Sequence, residues 1–171
     1  MNVDHVIVTT SPAETHDLGV RLGRRLGPGQ VIALHGDLGA GKTALAQGIA
    51  AGLGVSEPIT SPTFTLINQY RTAAGIPLAH VDCYRLGESR AEAQREAATI
   101  GVEELLADEE LIVLIEWGEL IADLLPTDYL DIVLVPVEDA PEHRRIVLTA
   151  HGGQSQQLLQ ALVEHTKLSS V

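Results

Sequence analysis

The chain has 171 residues, of which 45% are hydrophobic, 3% aromatic and 20% charged, a composition that fits one domain with a core of Leu, Val, Ile and Ala. Eleven basic residues face 23 acidic ones, giving a formal net charge of -12, and the only lysines are Lys42 and Lys167; direct, tight gripping of a nucleic-acid backbone is not expected of this chain alone, though a partner could bring a nucleic acid into the same assembly. The lone Cys83 excludes an internal disulfide and a cysteine-paired zinc site, and the seven histidines have no metal-ligand spacing. The longest apolar runs, such as Leu111 to Ile115, are of strand length, and Met1 to His5 carries neither a basic leader nor an apolar export core. A cytoplasmic protein with no membrane segment is expected.

In chain order, Val6 to Thr10 reads as a short strand. Ser11-Pro12-Ala13-Glu14 then reads as a helix start, with a capping serine, a proline in the first turn and a glutamate three residues after the cap. Leu18, Leu22 and Leu26 continue that helix until Gly27-Pro28-Gly29 ends it. Val31 to His35 is a buried-type strand, and Thr43 to about Leu53 is a helix stopped by Gly54. Ser56 to Pro62 is a loop. Thr65 to Arg71 and Ile76 to Tyr84 form a hairpin, and Glu88 to Ala107 is helical with a break near Gly101. Leu111 to Ile115 is apolar throughout, as a central strand covered on both faces must be. Tyr129 to Val137 and His143 to Ala150 form a second hairpin across Glu138 to Glu142, and Gln154 to His165 closes the chain as an amphipathic helix. Strands alternating with helices, plus hairpins, predict an α/β fold with a mixed sheet and helices on both faces.

The segment Gly36-Asp37-Leu38-Gly39-Ala40-Gly41-Lys42-Thr43 matches the pattern G-x-x-x-x-G-K-[ST] in full. Glycines let the main chain curl so that successive N–H groups point at phosphate oxygens, and the following helix adds its positive end. Lys42 is placed to reach the outer phosphates, and the Thr43 hydroxyl to ligate magnesium. A chance glycine turn before a lysine would share the pattern, but here a strand leads into it and a helix follows. No N-K-x-D guanine motif surrounds either lysine, so ATP is expected rather than GTP.

Such a loop needs a carboxylate near magnesium at the end of a neighbouring apolar strand. Two places qualify: Glu116, directly after Leu-Ile-Val-Leu-Ile, and Asp82, after Leu78-Ala79-His80-Val81. Glu116 is assigned to magnesium, directly or through water, and Asp82 to orienting or deprotonating the attacking water. Either could instead be an ordinary acid at an exposed strand end. Thr60-Ser61-Pro62-Thr63-Phe64 has the position of a loop that senses the terminal phosphate or completes the magnesium shell, and Ser61 and Thr63 are its candidate contacts. Trp117 is either core or a cover for the nucleotide, while His80 and Cys83 read as packing residues.

Four segments together resemble the TsaE family, formerly called YjeE. They are Gly36 to Thr43, Thr60 to Phe64, His80-Val81-Asp82-Cys83-Tyr84-Arg85-Leu86 and Glu116-Trp117, in the family's order and approximate spacing. The resemblance implies a small P-loop ATPase, with a P-loop NTPase-like three-layer α/β fold around a mixed, largely parallel central sheet, that binds ATP and Mg2+ and hydrolyses ATP slowly. It also implies that the chain works with TsaB and TsaD in adding a threonylcarbamoyl group to the adenosine beside the anticodon of tRNA. On that pattern tRNA is reached only indirectly, through the partners. Lys42 is implied on phosphate, Thr43 and Glu116 on the metal, Asp82 near the reacting end, Thr63 in a switch-like loop and Trp117 near the nucleotide. The match is weaker around Ser11, Glu14, Arg144 and Arg145. Two positions depart from the family: Ala44, where many members have a second threonine, and Gly118, where proline commonly follows Glu-Trp. The rival readings are a small-metabolite kinase, with Arg90 and Arg95 as lid arginines, and an ATP-dependent binding switch with negligible turnover.

Overall fold

Local chemistry starts each element as the sequence suggests. The computed structural model describes residues 3–62 and 65–168. Strand β1 (Val3–Thr9) runs into helix α1 (Pro12–Gly23), where the Ser11 hydroxyl accepts the Glu14 N–H at 3.2 Å and the Glu14 carboxylate accepts the Thr10 N–H at 2.6 Å. These contacts satisfy donors that a helix start leaves unpaired. The helix stops at Gly23, short of the expected Leu26. Arg25 and Leu26 donate only three residues back, to Leu22 and Gly23, a tightened last turn that leads to Gly27-Pro28, where a proline disfavours continuation. Leu26 is still buried, but from this turn.

Strand β2 (Val31–His35) leads through the glycine loop into helix α2 (Lys42–Gly52). Strands β3 (Ile67–Arg71) and β4 (Pro77–Asp82) form the expected first hairpin. Helices α3 (Arg90–Thr99) and α4 (Val102–Ala107) are separated at Gly101, which has φ 86°. Strand β5 (Ile112–Glu116) is buried at every position. A 3-10 segment, Gly118–Leu124, kinked at Ile121 where φ is -121°, follows it; the sequence pattern predicts no element there. Strands β6 (Tyr129–Val137) and β7 (Ala140–His151) pair closer to their turn than expected, because Asp139 takes φ 61° and lets Val137 face Ala140. Helix α5 (Gly153–Leu168) ends the described chain.

Among the described residues, seven strands form one sheet in the order β1-β7-β6-β2-β5-β4-β3. Its centre, β6-β2-β5-β4, is parallel; β3 on one flank and β7 on the other run antiparallel to it, and β1 pairs antiparallel with β7 at the edge. This is the mixed α/β sheet of a P-loop NTPase-like fold. One face packs Leu34, Leu114, Ile132 and Leu148 against α1, α2 and α5. The other packs Val81, Val113 and Ile115 against α3, α4 and the 3-10 helix. Parallel strands covered on both faces explain why Leu111 to Ile115, which supplies most of β5, is an unbroken apolar run.

The contact that positions α2 is with α1, and it is made by backbone. A Cβ on Gly48 would lie 2.1 Å from the His16 carbonyl oxygen, and one on Gly23 would lie 2.1 Å from that of Ile49. Only glycine permits this approach. The helix that carries Lys42 and Thr43 is therefore seated directly on its neighbour's main chain.

Candidate functional site

The glycine loop curls between β2 and α2 as its sequence requires. Gly41, the residue before the helix, has φ 103°, and Gly36 has φ 142° with a would-be Cβ 2.6 Å from the Leu134 carbonyl oxygen. Neither place accepts a side chain without strain. The Ala40 N–H closes a turn onto the Asp37 carbonyl at 3.0 Å, and the Ala40 methyl is buried. Lys42 folds back across the loop, donating to the Gly36 carbonyl and, at 3.0 Å, to that of Asp37. Its ammonium also stands 4.2 Å over the Trp117 ring, a cation–π contact. Burial pulls the Lys42 pKa down, while Glu116, Glu119, Asp82 and Asp37 act in the opposite direction; the net displacement is downward. The ammonium is thus held among carboxylates in a partly dry site, where charge interactions are stronger than in water.

The two candidate acids are brought side by side by strand register. Asp82 and Glu116 end the adjacent parallel strands β4 and β5 and are direct partners across them. Both are buried. One Asp82 oxygen accepts the Ser61 hydroxyl at 2.9 Å and the other accepts the Tyr84 N–H at 2.9 Å, so the carboxylate is fixed from two sides. Glu116 lies 2.9 Å from the Nε2 of His80, which is itself buried. His80, read from sequence as a packing residue, is a polar partner of the candidate metal ligand. Its Nδ1 is buried without a hydrogen-bond partner among the described residues. Cys83 does pack, fully buried, with its thiol pushed up to about 12 by desolvation and then by Asp82 and Glu119. Such a thiol is inert near neutral pH.

These groups line one cleft of about 420 Å3 formed by Leu38, Gly39, Gly41, Lys42, Thr43, Ser61, Asp82, Tyr84, Arg85, Glu116 and Trp117. Most of the residues picked from sequence meet here. Gly36, Asp37 and Ala40 belong to the loop but shape it from behind. Thr63 lies outside the described residues. Trp117 takes φ 60°, an uncommon conformation for a large side chain, and its ring lies 4.9 Å from that of Tyr84. Gly118, where the chain departs from the family's Glu-Trp-Pro, is buried with its would-be Cβ 3.0 Å from that of Ala33.

Three contributors were not assigned a role from sequence. Tyr84 and Arg85 line the cleft although only Asp82 was singled out of their segment; their position two and three residues past a strand-end acid was the available signal. The third is His35, which closes β2 just before the loop. Its Nδ1 contacts Glu119 at 2.6 Å and its Nε2 pairs with Asp131. Burial opposes its charge, but the bonds to Asp131 and Glu119 outweigh that and raise its pKa to about 9. Arg144, only weakly indicated beforehand, reaches the loop from β7: its Nε donates to the Ala40 carbonyl at 2.7 Å. In contrast, Arg90 is paired with Asp123 at 2.8 Å, and neither it nor Arg95 lines the cleft.

Residues 9–146 match the family model described as threonylcarbamoyl adenosine biosynthesis protein TsaE. The Bacillus subtilis (strain 168) protein named tRNA threonylcarbamoyladenosine biosynthesis protein TsaE is 35% identical over 162 residues, 95% of this chain and 96% of its own. A protein of the same name from Nostoc sp. is 42% identical over 139 residues, covering 78% of this chain and 81% of its own. The crystal structure of Bacillus subtilis YdiB superposes with a TM-score of 0.77 at 31% identity, over 97% of this chain and 98% of that one. The match spans the glycine loop, both strand-end acids and the sheet that joins them, and the chain belongs to the TsaE family.

Proposed function

We propose that this chain binds ATP with magnesium in the cleft and hydrolyses it slowly. That turnover serves the formation of threonylcarbamoyladenosine in tRNA, in company with TsaB and TsaD. The observation that carries the reading is the convergence of the loop, Lys42 and the register-paired acids Asp82 and Glu116 on a single cleft. The main-chain N–H groups of the loop and the start of α2 receive phosphate oxygens, and Lys42 turns from its loop carbonyls toward the outer phosphates. Asp82, pinned by Ser61 and the Tyr84 N–H, presents an oxygen to the water that attacks the terminal phosphorus.

The donors suit a hard divalent cation: the Thr43 hydroxyl and the Glu116 carboxylate are oxygen ligands of the kind magnesium selects, and water completes its shell. Bound there, magnesium would neutralise charge on the phosphates. His80 behind Glu116 has the place of an outer partner that orients a metal-bound carboxylate. The net charge of -12 favours an indirect route to tRNA, with the basic contacts supplied by the partners.

ATP hydrolysis and tRNA modification, each measured with and without TsaB and TsaD, test the reading. Slow hydrolysis alone, and modification that requires this chain together with ATP, are expected. Modification that proceeds equally well without this chain would overturn the role. A kinase reading finds no support in the arginines once offered for a lid, since Arg90 is tied to Asp123. Phosphate transfer from ATP to a small metabolite would revive it.

A further inference from the structure

Arg144 stands near the start of β7, level with Thr9 of β1 and Pro136 of β6. Its guanidinium holds four carbonyl oxygens. Nε donates to Ala40 at 2.7 Å and Nη2 to Gly39 at 3.1 Å, both in the glycine loop. Nη1 donates to Pro141 at 2.6 Å and His143 at 2.7 Å, both on its own strand. The side chain is therefore a clamp between the sheet and the loop, across more than a hundred residues of sequence. A planar fork of fixed donors suits this geometry, and a single ammonium does not.

The consequence follows from peptide geometry. In a trans peptide the C=O and the next N–H point in opposite directions. Drawing the Ala40 carbonyl toward Arg144 therefore turns the Gly41 N–H away from it. The peptide before Ala40 is already set, because the Ala40 N–H is held by Asp37. The Ala40–Gly41 peptide is the soft one: Gly41 lacks a side chain to restrict its rotation. Gly41 lines the cleft.

We propose that Arg144 is a positioning residue that sets the Ala40–Gly41 peptide so that the Gly41 N–H faces the phosphates of the bound nucleotide. This rests on the ATP reading above. Arg144 acts through the loop and makes no contact with the reacting atoms. Its loss should weaken ATP binding while leaving turnover at saturation nearly intact.

The test is calorimetric titration of ATP under saturating magnesium, with hydrolysis rates, on wild type, Arg144→Ala, Arg144→Lys and two controls. Lys42→Ala reports on the site itself. Leu159→Ala, a buried α5 residue, reports on the effect of lost stability alone, with all proteins studied below their melting transitions. Arg144→Ala should weaken ATP binding roughly tenfold or more, as expected for a lost charged hydrogen-bond pair. Arg144→Lys should restore only part of that, and kcat should stay within about twofold. Unchanged affinity in Arg144→Ala, or a loss no greater than in Leu159→Ala, would overturn the proposal. A fall in kcat at unchanged affinity would also overturn it, by placing Arg144 in the chemical step. If Lys42→Ala binds ATP as wild type does, the ATP site is wrong; if it loses binding while Arg144→Ala keeps it, only the clamp is wrong.

Discussion

Gly48→Ala puts one methyl where the structure leaves no room. The new Cβ would meet the His16 carbonyl oxygen at 2.1 Å, the His16 carbonyl carbon at 2.9 Å and the Gly19 Cα at 3.0 Å. An ordinary carbon–oxygen contact is about 3.3 Å, so α1 and α2 must separate by roughly 1.2 Å. Backbone cannot swing aside as a flexible side chain can. Overpacking of this kind costs up to about 3 kcal/mol, and the better helix propensity of alanine offsets about 1 kcal/mol. The net loss is about 2 kcal/mol, or a fall in Tm of about 4–8 °C for a chain of this size. Urea unfolding followed by circular dichroism should show a lower midpoint at unchanged slope. Gly27→Ala is the control, because among the described residues nothing beyond its own chain neighbours lies within 4 Å of its would-be Cβ; it should change stability by less than about 0.5 kcal/mol. A Gly48→Ala protein as stable as wild type, or more so, would refute the argument that backbone contact between these helices seats α2.

Three further outcomes are expected. Lys42→Ala should weaken ATP binding roughly 100-fold or more, since a charged donor to phosphate is lost from a partly buried site; unchanged calorimetric affinity would contradict the site. Glu116→Ala should lower magnesium-dependent hydrolysis by roughly 100-fold and nucleotide affinity by much less, and an identical magnesium titration in variant and wild type would count against Glu116 as the metal-side acid. Because the pKa of His35 is raised to about 9 from 6.5, its charged form is the one the fold favours. That stabilisation, on the order of 3 kcal/mol, is complete below pH 6.5 and disappears as pH climbs through about 9. Urea midpoints of wild type should therefore fall between pH 6.5 and 9.5, and those of His35→Gln should change much less over the same range; parallel curves would dismiss the charged His35.

The relation between sequence and structure differs by residue. Ser11, Gly54 and Gly101 end or begin helices through contacts a few residues away, and all three were readable. Leu26 was placed in the helix because its spacing fits one, yet it packs from a turn; periodicity reports burial and not the conformation that delivers it. The 3-10 segment at Gly118–Leu124 is not legible in the sequence, because it is short and lacks a strong periodic signal. Asp82 and Glu116 were each found as acids ending apolar strands, but their pairing depends on β4 and β5 lying in register. His80 was read as packing because its hydrogen-bond partner is 36 residues away.

What the amino-acid order determined by itself is local chemistry. A lysine and threonine follow a run of glycines, an apolar strand leads into that run, and two acids stand where other apolar strands end. Turns, caps and the curled loop follow because their partners are close along the chain. Tertiary structure decided everything that needs two distant segments at once: the glycine contact between α1 and α2, the meeting of His80 with Glu116, and the reach of Arg144 to the loop from β7. Those contacts form only when the sheet order brings their strands together, and no pattern within a short window carries that order.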